Sequence, residues 1–320
     1  MSTLNERHTL AEQVAQAMGK SVYNNVEAHK DITPRLELQQ KSPKLMTLEE
    51  AIRHSGLKDG MTISFHHHFR GGDKVVNMVV AKLAEMGFKG LHLAASSLQD
   101  VHEPLIEHIR NGVITEISTS GLRGELAKEI SHGLMEKPVV FRSHGGRGEA
   151  IASGELHIDV AFLGASSSDP LGNACGYSRS ENAKSICGSL GYALPDAHYA
   201  DKVVILTDDL VPYPNTPNSI SEHDVDYVVE VESVGDSSKI ASGAIRDTKN
   251  PRDILLAQQA AKVIVNSGYF KNGFSIQTGS GGASLAAVKY IRQSMIDQGI
   301  KASFALGGIT AHMVKMHEEG

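Results

Sequence analysis

The feature that most constrains the fold is a strand, a glycine-rich turn and a helix, which follow one another in this order and recur late in the chain. The first copy consists of the apolar run 61–65, the turn 70–72, a helix that Gly87 ends, and then the strand 90–95. A strand, a crossover helix and a second strand make a βαβ unit, which requires a parallel sheet with right-handed crossovers. The chain is therefore predicted to be an α/β protein.

The same order restarts in the last third of the chain. Asn250 and Pro251 predict the start of a helix, and the strand 274–277, the loop 278–282 and a second helix that Gly299 ends follow it. The repetition predicts two related, open and mainly parallel α/β domains. The second copy offers only two or three strands, and a sheet that small leaves an edge and much of a face uncovered, so this domain is predicted to be incomplete in this chain.

At 320 residues the chain is too long for one ordinary core, which agrees with about two domains. The predicted segments are an N-terminal extension at 1–45, a first α/β domain at 46–235, and the front part of a second α/β domain at 236–320.

Composition excludes several classes of protein. The net charge is −6 and the basic residues are scattered, whereas a nucleic-acid surface needs a basic stripe. The N-terminus lacks the apolar core of a signal peptide, and no apolar run approaches the ~20 residues that span a bilayer. Two cysteines, Cys175 and Cys187, cannot form a disulfide framework. We therefore expect a cytoplasmic protein that binds neither nucleic acid nor membrane.

Two glycine loops are the strongest candidates for chemistry, FHHHFRGGD at 65–73 and TGSGG at 278–282. Both are predicted at the carboxyl ends of parallel strands, where ligands bind and where the next helix presents free N–H groups. A carboxylate, a phosphate or a thioester oxyanion would be stabilised there, although ordinary tight turns remain the alternative. Neither loop matches a Walker or GxGxxG pattern, so nucleotide cofactors are disfavoured. The glycines predicted to be catalytic are Gly71, Gly72, Gly281 and Gly282.

Three consecutive histidines, His66, His67 and His68, invite a metal interpretation. Because consecutive strand residues point to alternating faces, the three cannot converge on one ion, and no metal site is predicted. The more modest expectation is that one of the imidazoles faces the ligand-binding cleft as a hydrogen-bond donor.

A third loop, at 143–148, contains His144 and Arg147, whose hydrogen-bond donors suit carboxylates.

A polar segment follows the predicted strand 159–163. Its Asn173 is expected either to contact the ligand or to brace a turn. The predicted substrate-binding residues are Arg70, His144, Arg147, Ser166 and Asn173. No nucleophile is apparent, since the sequence has no Gly-x-Ser-x-Gly elbow and neither cysteine lies beside an obvious base.

The segments that contain these residues resemble a known protein family. The segments 142–176, 65–73 and 276–291 resemble the alpha chain family of the ATP-independent bacterial citrate lyases, over essentially the whole chain. More distantly, the chain is similar to the coenzyme A transferases, which have two related open α/β domains with the active site between them. Members of the citrate lyase family are considerably longer, in agreement with an incomplete second domain.

The resemblance implies a reaction, its partners and its thioester. Citrate and an acetyl-carrier protein give citryl-carrier and acetate, and coenzyme A thioesters can stand in for the carrier. The partners implied are an acyl-carrier gamma chain, which bears a phosphoribosyl-dephospho-coenzyme A prosthetic group, and a beta chain that cleaves citryl-carrier, within a complex that also contains further copies of this chain. No tightly bound cofactor is implied. The residues expected to meet the thioester group are Thr278, Gly279 and Ser280.

One departure concerns mechanism. Coenzyme A transferases carry a nucleophilic glutamate after the strand that matches 302–306, whereas this sequence has no acidic residue there until Glu318. This favours reaction through a ternary complex. The alternatives left open are a coenzyme A transferase or thioester hydrolase with a glutamyl intermediate, and a non-catalytic domain of the same fold that senses a sugar phosphate or another ligand.

Overall fold

The computed structural model describes residues 13, 16, 17, 44–66, 68–181, 183–240, 248–279, 281–306, 309 and 311–320. Within these residues the chain divides into two compact units. The first contains the described residues up to His68 together with Asp73–Gly235, and the second contains Phe69–Gly72 together with the described residues from Asp236 onward. Most of the segment 1–45, which was predicted to be an extension, lies outside the described residues.

The first unit is built on a parallel sheet of seven strands in the order β4–β3–β2–β1–β5–β8–β9. These strands are β1 (Thr62–Phe65), β2 (Leu91–Ala95), β3 (Ile114–Thr119), β4 (Val140–Phe141), β5 (Val160–Ala165), β8 (Lys202–Thr207) and β9 (Tyr227–Glu230). Two short strands, β6 (Ser167–Ser168) and β7 (Ala174–Cys175), form an antiparallel pair after β5. The predicted parallel α/β class is confirmed.

Helices connect the strands of the first unit, as the alternating pattern predicted. They are α1 (Leu48–His54), α2 (Val75–Glu85), α3 (Leu105–Arg110), α4 (Gly124–Ser131), α5 (His144–Ala152) and α6 (Leu194–Tyr199). Helix α2 buries Val76, Val79, Val80 and Leu83, apolar residues that recur at helical spacing. After it, Gly87 has a φ of 88°, a left-handed conformation that glycine adopts without strain.

The core lies around the central strands. All six residues of β5 are buried, as expected for a strand with neighbours on both sides and helices on both faces. The rings of Phe65 on β1 and Phe162 on β5 stack with their centroids 5.7 Å apart. These two strands form the centre of the sheet and also its topological switch point, since the strand order runs outward from β1 to β4 on one side and continues from β5 on the other. Ligands of open α/β sheets bind at the carboxyl ends of the strands beside such a point.

The second unit contains a pair of parallel strands and three α-helices within its described residues. In chain order they are α7 (Pro251–Val265), β10 (Phe274–Gln277), α8 (Gly282–Gln298), β11 (Ala302–Leu306) and α9 (Ala311–Glu318). Asn250 caps α7 through its side chain, which accepts from the N–H of Arg252, and Gly299 ends α8 with a φ of 64°. Phe304 and Leu306 on β11 are 54% and 55% exposed, so this small sheet leaves apolar surface uncovered.

Across the described residues, every helix is too short or too polar to cross a membrane.

Candidate functional site

Two histidines lie directly after β1, at the switch point of the sheet. His66 and His68 are both buried, and their ring centroids are 3.9 Å apart. The two rings therefore lie against each other. His67 lies outside the described residues. The expectation that one imidazole faces a cleft at this edge stays a prediction, and so does the expectation that the histidines hold no metal.

A tyrosine that the sequence analysis did not single out joins this pair to His144. The ring of Tyr192 meets the ring of His66 at 5.2 Å, edge to face, and stacks on the ring of His144 at 5.0 Å. Its hydroxyl donates to the backbone oxygen of His144 over 3.0 Å and lies 3.3 Å from Oγ of Ser120, which follows β3. We call the four residues His66, His68, His144 and Tyr192 the imidazole–phenol cluster. It lies at the carboxyl edge of the sheet.

His144 begins a helix, whereas the sequence predicted a loop. Ser143 caps α5, because its Oγ accepts from the N–H of Gly146 over 3.0 Å, so the two glycines of Ser-His-Gly-Gly-Arg become its first turn. The cap outweighs the low helix propensity of glycine. His144 is exposed at the first position of this helix, where backbone N–H groups make the local potential positive. Its predicted role as a substrate ligand stays a prediction.

Arg147 differs from its prediction. It is 2% exposed, and its two terminal nitrogens donate to both carboxylate oxygens of Asp196, over 2.8 and 2.7 Å. One of them also donates to Oγ of Ser64 and to the backbone oxygen of Ala94. Burial disfavours the charged guanidinium, but the carboxylate of Asp196 outweighs this effect and raises the pKa of Arg147. The terminal nitrogens are therefore bound to the protein, and the structure gives Arg147 a structural place beneath the cluster instead of direct contact with citrate.

Asn173 also has a structural place. Its side-chain nitrogen donates to Asp169 and Glu222, and its side-chain oxygen accepts from Asn218 and from the N–H of Glu222. An amide offers two donors and two lone pairs, so all its hydrogen-bonding capacity is used within the protein. Of the two roles considered from the sequence, the structure supports the turn brace.

Ser166 is fully buried and is likewise engaged by the protein. Its Oγ accepts from the N–H of Cys187 over 2.9 Å. This arrangement places the hydroxyl of Ser166 inside the core, and its predicted role as a substrate ligand stays a prediction. The buried thiol of Cys187 has its pKa raised by desolvation to about 11, so it is poorly suited to act as a nucleophile.

Packing explains part of the glycine content of the first glycine loop. Arg70 is exposed and has a φ of 49°, and Gly71 is half-buried. A Cβ atom at Gly72 would lie 2.2 Å from the backbone oxygen of Asp236, within the second unit. Gly72 therefore allows its own chain to approach, and a side chain at this position requires the backbone near Asp236 to shift. The predicted roles of Arg70 and Gly71 stay predictions.

Asp73, directly after this loop, is buried. Its Oδ2 accepts from the N–H of Val76 over 3.1 Å, at the start of α2, and from Nε2 of the fully buried His102 over 3.1 Å. Nδ1 of His102 accepts from the N–H of Gln99, which fixes the tautomer whose Nε2 carries the proton. The hydrogen bonds of Asp73 therefore connect the start of α2 to His102 near the carboxyl edge of the sheet.

The second glycine loop follows β10, as predicted. Gly281 occupies the N-cap position of α8, and a Cβ atom built on it would meet nothing within 4 Å. Thr278 has a buried hydroxyl without a hydrogen-bond partner among the described residues, and Ser280 lies outside those residues. The roles predicted for Thr278, Gly279, Ser280, Gly281 and Gly282 stay predictions.

One further group of potential metal ligands lies at the opposite, amino edge of the sheet. His157, Asp159 and Asp201 place one ligand atom each within 4.8 Å of one another. His157 and Asp201 are exposed, and Asp159 accepts from the N–H of Thr62 over 2.7 Å, which ties it to the start of β1. The contacts of this group are those of an exposed ion-pair cluster.

Comparison with known proteins gives a consistent picture. The family described as citrate lyase, alpha subunit (CitF), matches residues 42–320. The chain is 60% identical over 301 residues to the citrate lyase alpha chain of Klebsiella pneumoniae. The alignment covers 90% of this chain and 58% of that protein. It is 61% identical over 273 residues to the citrate lyase alpha chain of Escherichia coli. This alignment covers 85% of this chain and 53% of that protein. The chain thus spans little more than half the length of these relatives.

Solved structures agree. The alpha subunit of citrate lyase from Streptococcus mutans, in complex with citrate, has a TM-score of 0.84 and 58% identity, covering 88% of this chain and 55% of that one. The alpha subunit of a malonate decarboxylase from Acinetobacter baumannii has a TM-score of 0.65 at 16% identity, covering 87% and 50%. The second likeness concerns the fold alone.

Proposed function

Since the chain belongs to the citrate lyase alpha subunit family, we propose that it is a transferase that moves a carrier thioester from acetate to citrate. The observation that carries the proposal is the family match over residues 42–320, which includes described parts of both units. The relative from Streptococcus mutans, 58% identical, was solved with citrate bound. That complex makes citrate the first candidate for the acid substrate of this chain.

The imidazole–phenol cluster supports the proposal. Citrate carries three carboxylates, and the cluster offers imidazole donors beside the amino end of α5, where the potential is positive. The chain as a whole has a net charge of −6, so a tricarboxylate needs such a local concentration of donors. The cluster also lies at the sheet edge where open α/β proteins bind ligands.

The proposed chemistry requires no side-chain nucleophile. A carboxylate oxygen of citrate attacks the thioester carbonyl carbon, and the resulting oxyanion collapses, forming a mixed anhydride and expelling the carrier thiolate. The thiolate then attacks the citryl carbonyl carbon and acetate leaves, so atoms and charge balance. Holding the reactants together is worth ~7–11 kcal/mol, and backbone N–H groups at a helix N-terminus would stabilise such an oxyanion.

The partners and the location belong to the same proposal. We expect the chain to act on an acyl-carrier gamma chain with a phosphoribosyl-dephospho-coenzyme A prosthetic group, or on acetyl-coenzyme A in its place. A beta chain would then cleave citryl-carrier, and the complex would contain further copies of this chain and work in the cytoplasm. No tightly bound cofactor is expected.

Mass spectrometry tests the function. The chain is mixed with citrate and acetyl-coenzyme A, and a citryl-thioester and free acetate are expected as products. Tricarballylate, a tricarboxylic acid that lacks the hydroxyl of citrate, serves as the matched control in place of citrate. Failure to form any thioester of citrate, with the assembled complex as well as the chain alone, would refute the proposal.

Kinetics distinguish the mechanism from the glutamyl alternative. A ternary complex gives initial-rate lines that intersect in double-reciprocal plots, and a covalent intermediate gives parallel lines. The absence of an acidic residue from 302 to 317 favours intersection. Release of acetate before citrate is added would identify a covalent enzyme instead.

A further inference from the structure

We propose that the outer edge of β11, together with the apolar groove beside it, is a docking site for one further parallel β-strand. The occupant is a strand from the part of a citrate lyase alpha chain that follows α9 in the longer relatives. This inference goes beyond the proposed function, because it concerns how the second unit is completed and does not involve citrate or a thioester.

The groove runs along the edge of β11. It has a volume of about 590 Å³, and the consecutive residues 302–305 of the strand line it. Neighbouring side chains of a strand, such as those of Phe304 and Ala305, point to opposite faces, so a cavity that touches both lies along an edge. The other edge of β11 pairs with β10, in a parallel register that places Ala305 beside Ile276. The groove therefore follows the edge that is open among the described residues.

Most of the side chains that line the groove are apolar. Those from α8 and α9 are Val288, Met295, Met313, Val314 and Met316. Val314 is 46% exposed and Phe304 is 54% exposed, so the apolar surface is continuous from α9 to the strand. Monomeric proteins seldom leave a large contiguous apolar patch in water, and a groove of this kind marks a surface that another element covers.

The sequence of β11 lacks the features that protect a strand edge from pairing. The strand reads ASFAL, which contains neither a charged residue nor a proline. Native sheets place such residues on the edges that stay open to water. An unprotected edge binds an added strand through backbone hydrogen bonds, and the neighbouring pockets accept its alternate side chains. A strand therefore fits both the edge and the groove.

The connections of the second unit give the direction of this strand. Helices α8 and α9 line the same groove, and Nε of Arg292 on α8 lies 2.5 Å from a carboxylate oxygen of Glu319, so both helices lie on one face of the sheet. Crossovers between parallel strands are right-handed. The crossover through α8 leads from β10 to β11, and a second one through α9 therefore leads to the side of β11 away from β10. The added strand is parallel to β11.

The comparison with relatives indicates where the strand comes from. The alignment with the Klebsiella pneumoniae protein covers 90% of this chain but 58% of that protein, so a large part of the relative lies outside it. The family match extends over residues 42–320, so the groove consists of residues that belong to the shared part. A second copy of this chain is the competing occupant, and the experiment distinguishes the two.

The experiment combines the full chain with a separate polypeptide, the part of the Klebsiella pneumoniae protein that follows its match to α9. The two are co-expressed, and we expect a 1:1 complex by sedimentation. In this complex the amides of Ala302–Leu306 should exchange hydrogen more slowly than in the chain alone.

Two glutamate variants locate the binding surface. Val314→Glu puts a carboxylate into the groove and should raise the Kd of the complex by roughly tenfold or more, because an unpaired charge is buried there. Val263→Glu is the matched control, since Val263 is 70% exposed on α7 and does not line the groove. It should change the Kd by less than about twofold. Circular dichroism of each variant verifies that the chain stays folded.

Several results would overturn the proposal. Among them are a complex in which Ala302–Leu306 exchange as in the chain alone, and equal weakening by Val314→Glu and Val263→Glu. Equal binding of a polypeptide with the same composition in scrambled order would also overturn it. Self-association of the chain alone that Val314→Glu abolishes would identify a second copy as the occupant instead.

A joined version covers the case in which the two polypeptides do not co-purify. The same segment is then fused after Gly320, and unchanged exchange of Ala302–Leu306 in the fusion would refute the proposal. Because neither citrate nor a thioester enters these measurements, a failure of the proposed function leaves their outcome unaffected.

Discussion

Replacing Arg147 with methionine should cost stability before it costs citrate affinity. The guanidinium makes four hydrogen bonds, two of them to Asp196 at 2.8 and 2.7 Å, and both side chains are almost fully buried. The substitution leaves the carboxylate of Asp196 buried, with the Ser64 hydroxyl as its remaining side-chain partner among the described residues. Removing one partner of a buried ion pair typically costs ~3–5 kcal/mol. We therefore expect Arg147→Met to lower the free energy of unfolding by about this amount.

The double variant Arg147→Met/Asp196→Asn provides the control. It removes both charges, so no uncompensated charge stays in the core. It should be more stable than Arg147→Met alone by about 1–2 kcal/mol. Asp196→Asn alone completes the double-mutant cycle, and a loss in the double variant equal to the sum of the two single losses would mean that the two side chains do not stabilise each other.

Urea unfolding measures these differences. Far-UV circular dichroism and tyrosine fluorescence serve as probes, since the sequence has no tryptophan. The chain has two units, so each transition is fitted separately. The reasoning would be refuted if Arg147→Met lost less than about 1 kcal/mol while the KM for citrate rose more than about tenfold. That pair of results would return Arg147 to the role of a direct substrate ligand.

Four further predictions concern residues whose contacts are described above. Asn173→Ala removes a fully used amide and should lower the free energy of unfolding by about 2–4 kcal/mol in urea titrations, whereas an unchanged stability with a raised citrate KM would restore its ligand role. Gly72→Ala places a Cβ atom 2.2 Å from the backbone of Asp236 and should cost about 1–3 kcal/mol. At Gly281, which has open space, alanine should change the thermal midpoint little, so loss of transfer there would report on ligand approach. The pKa of Cys187 is raised from 9.0 to about 11, so the stability that its neutral thiol contributes is fully present below pH 9 and is lost as the pH rises through 11. Disulfide-exchange reagents should modify this thiol slowly at pH 8 in native protein and rapidly in urea, and rapid modification of the native thiol would contradict its burial.

The regular elements could be predicted because their signals are local. The buried face of α2 follows from apolar spacing, and the ends of α2 and α8 follow from Gly87 and Gly299, both of which adopt positive φ angles. Asn250 and Pro251 mark the start of α7 by side-chain capping and a missing N–H. Each of these signals lies within a few residues of the structure that it specifies.

The candidate site was less predictable because its contacts are distant in sequence. Arg147 and Asp196 are 49 residues apart, and Tyr192 and His144 are 48 apart, so no local pattern connects them. The residue type of Arg147 suggested a carboxylate partner correctly, but the sequence does not distinguish a carboxylate of the protein from one of the substrate. For Asn173 the local turn was one of the two roles expected, and the bonds from Asn218 and Glu222 decide in its favour.

The position of β1 in the sheet has a consequence for the order of folding. Its partner β2 follows after one helix, but its other partner, β5, begins nearly a hundred residues later in the chain, as the 97-residue separation of Thr62 and Asp159 records. While the chain is being synthesised, β1 to β4 can assemble before β5 has emerged, and β1 then presents an unpaired edge next to what becomes the centre of the sheet. Closing such a long loop is slow, since the entropy of closure is lost before the contacts form. Tyr192, which lies after β5 in the chain, therefore joins the imidazole–phenol cluster only after β1 to β4 can already have assembled.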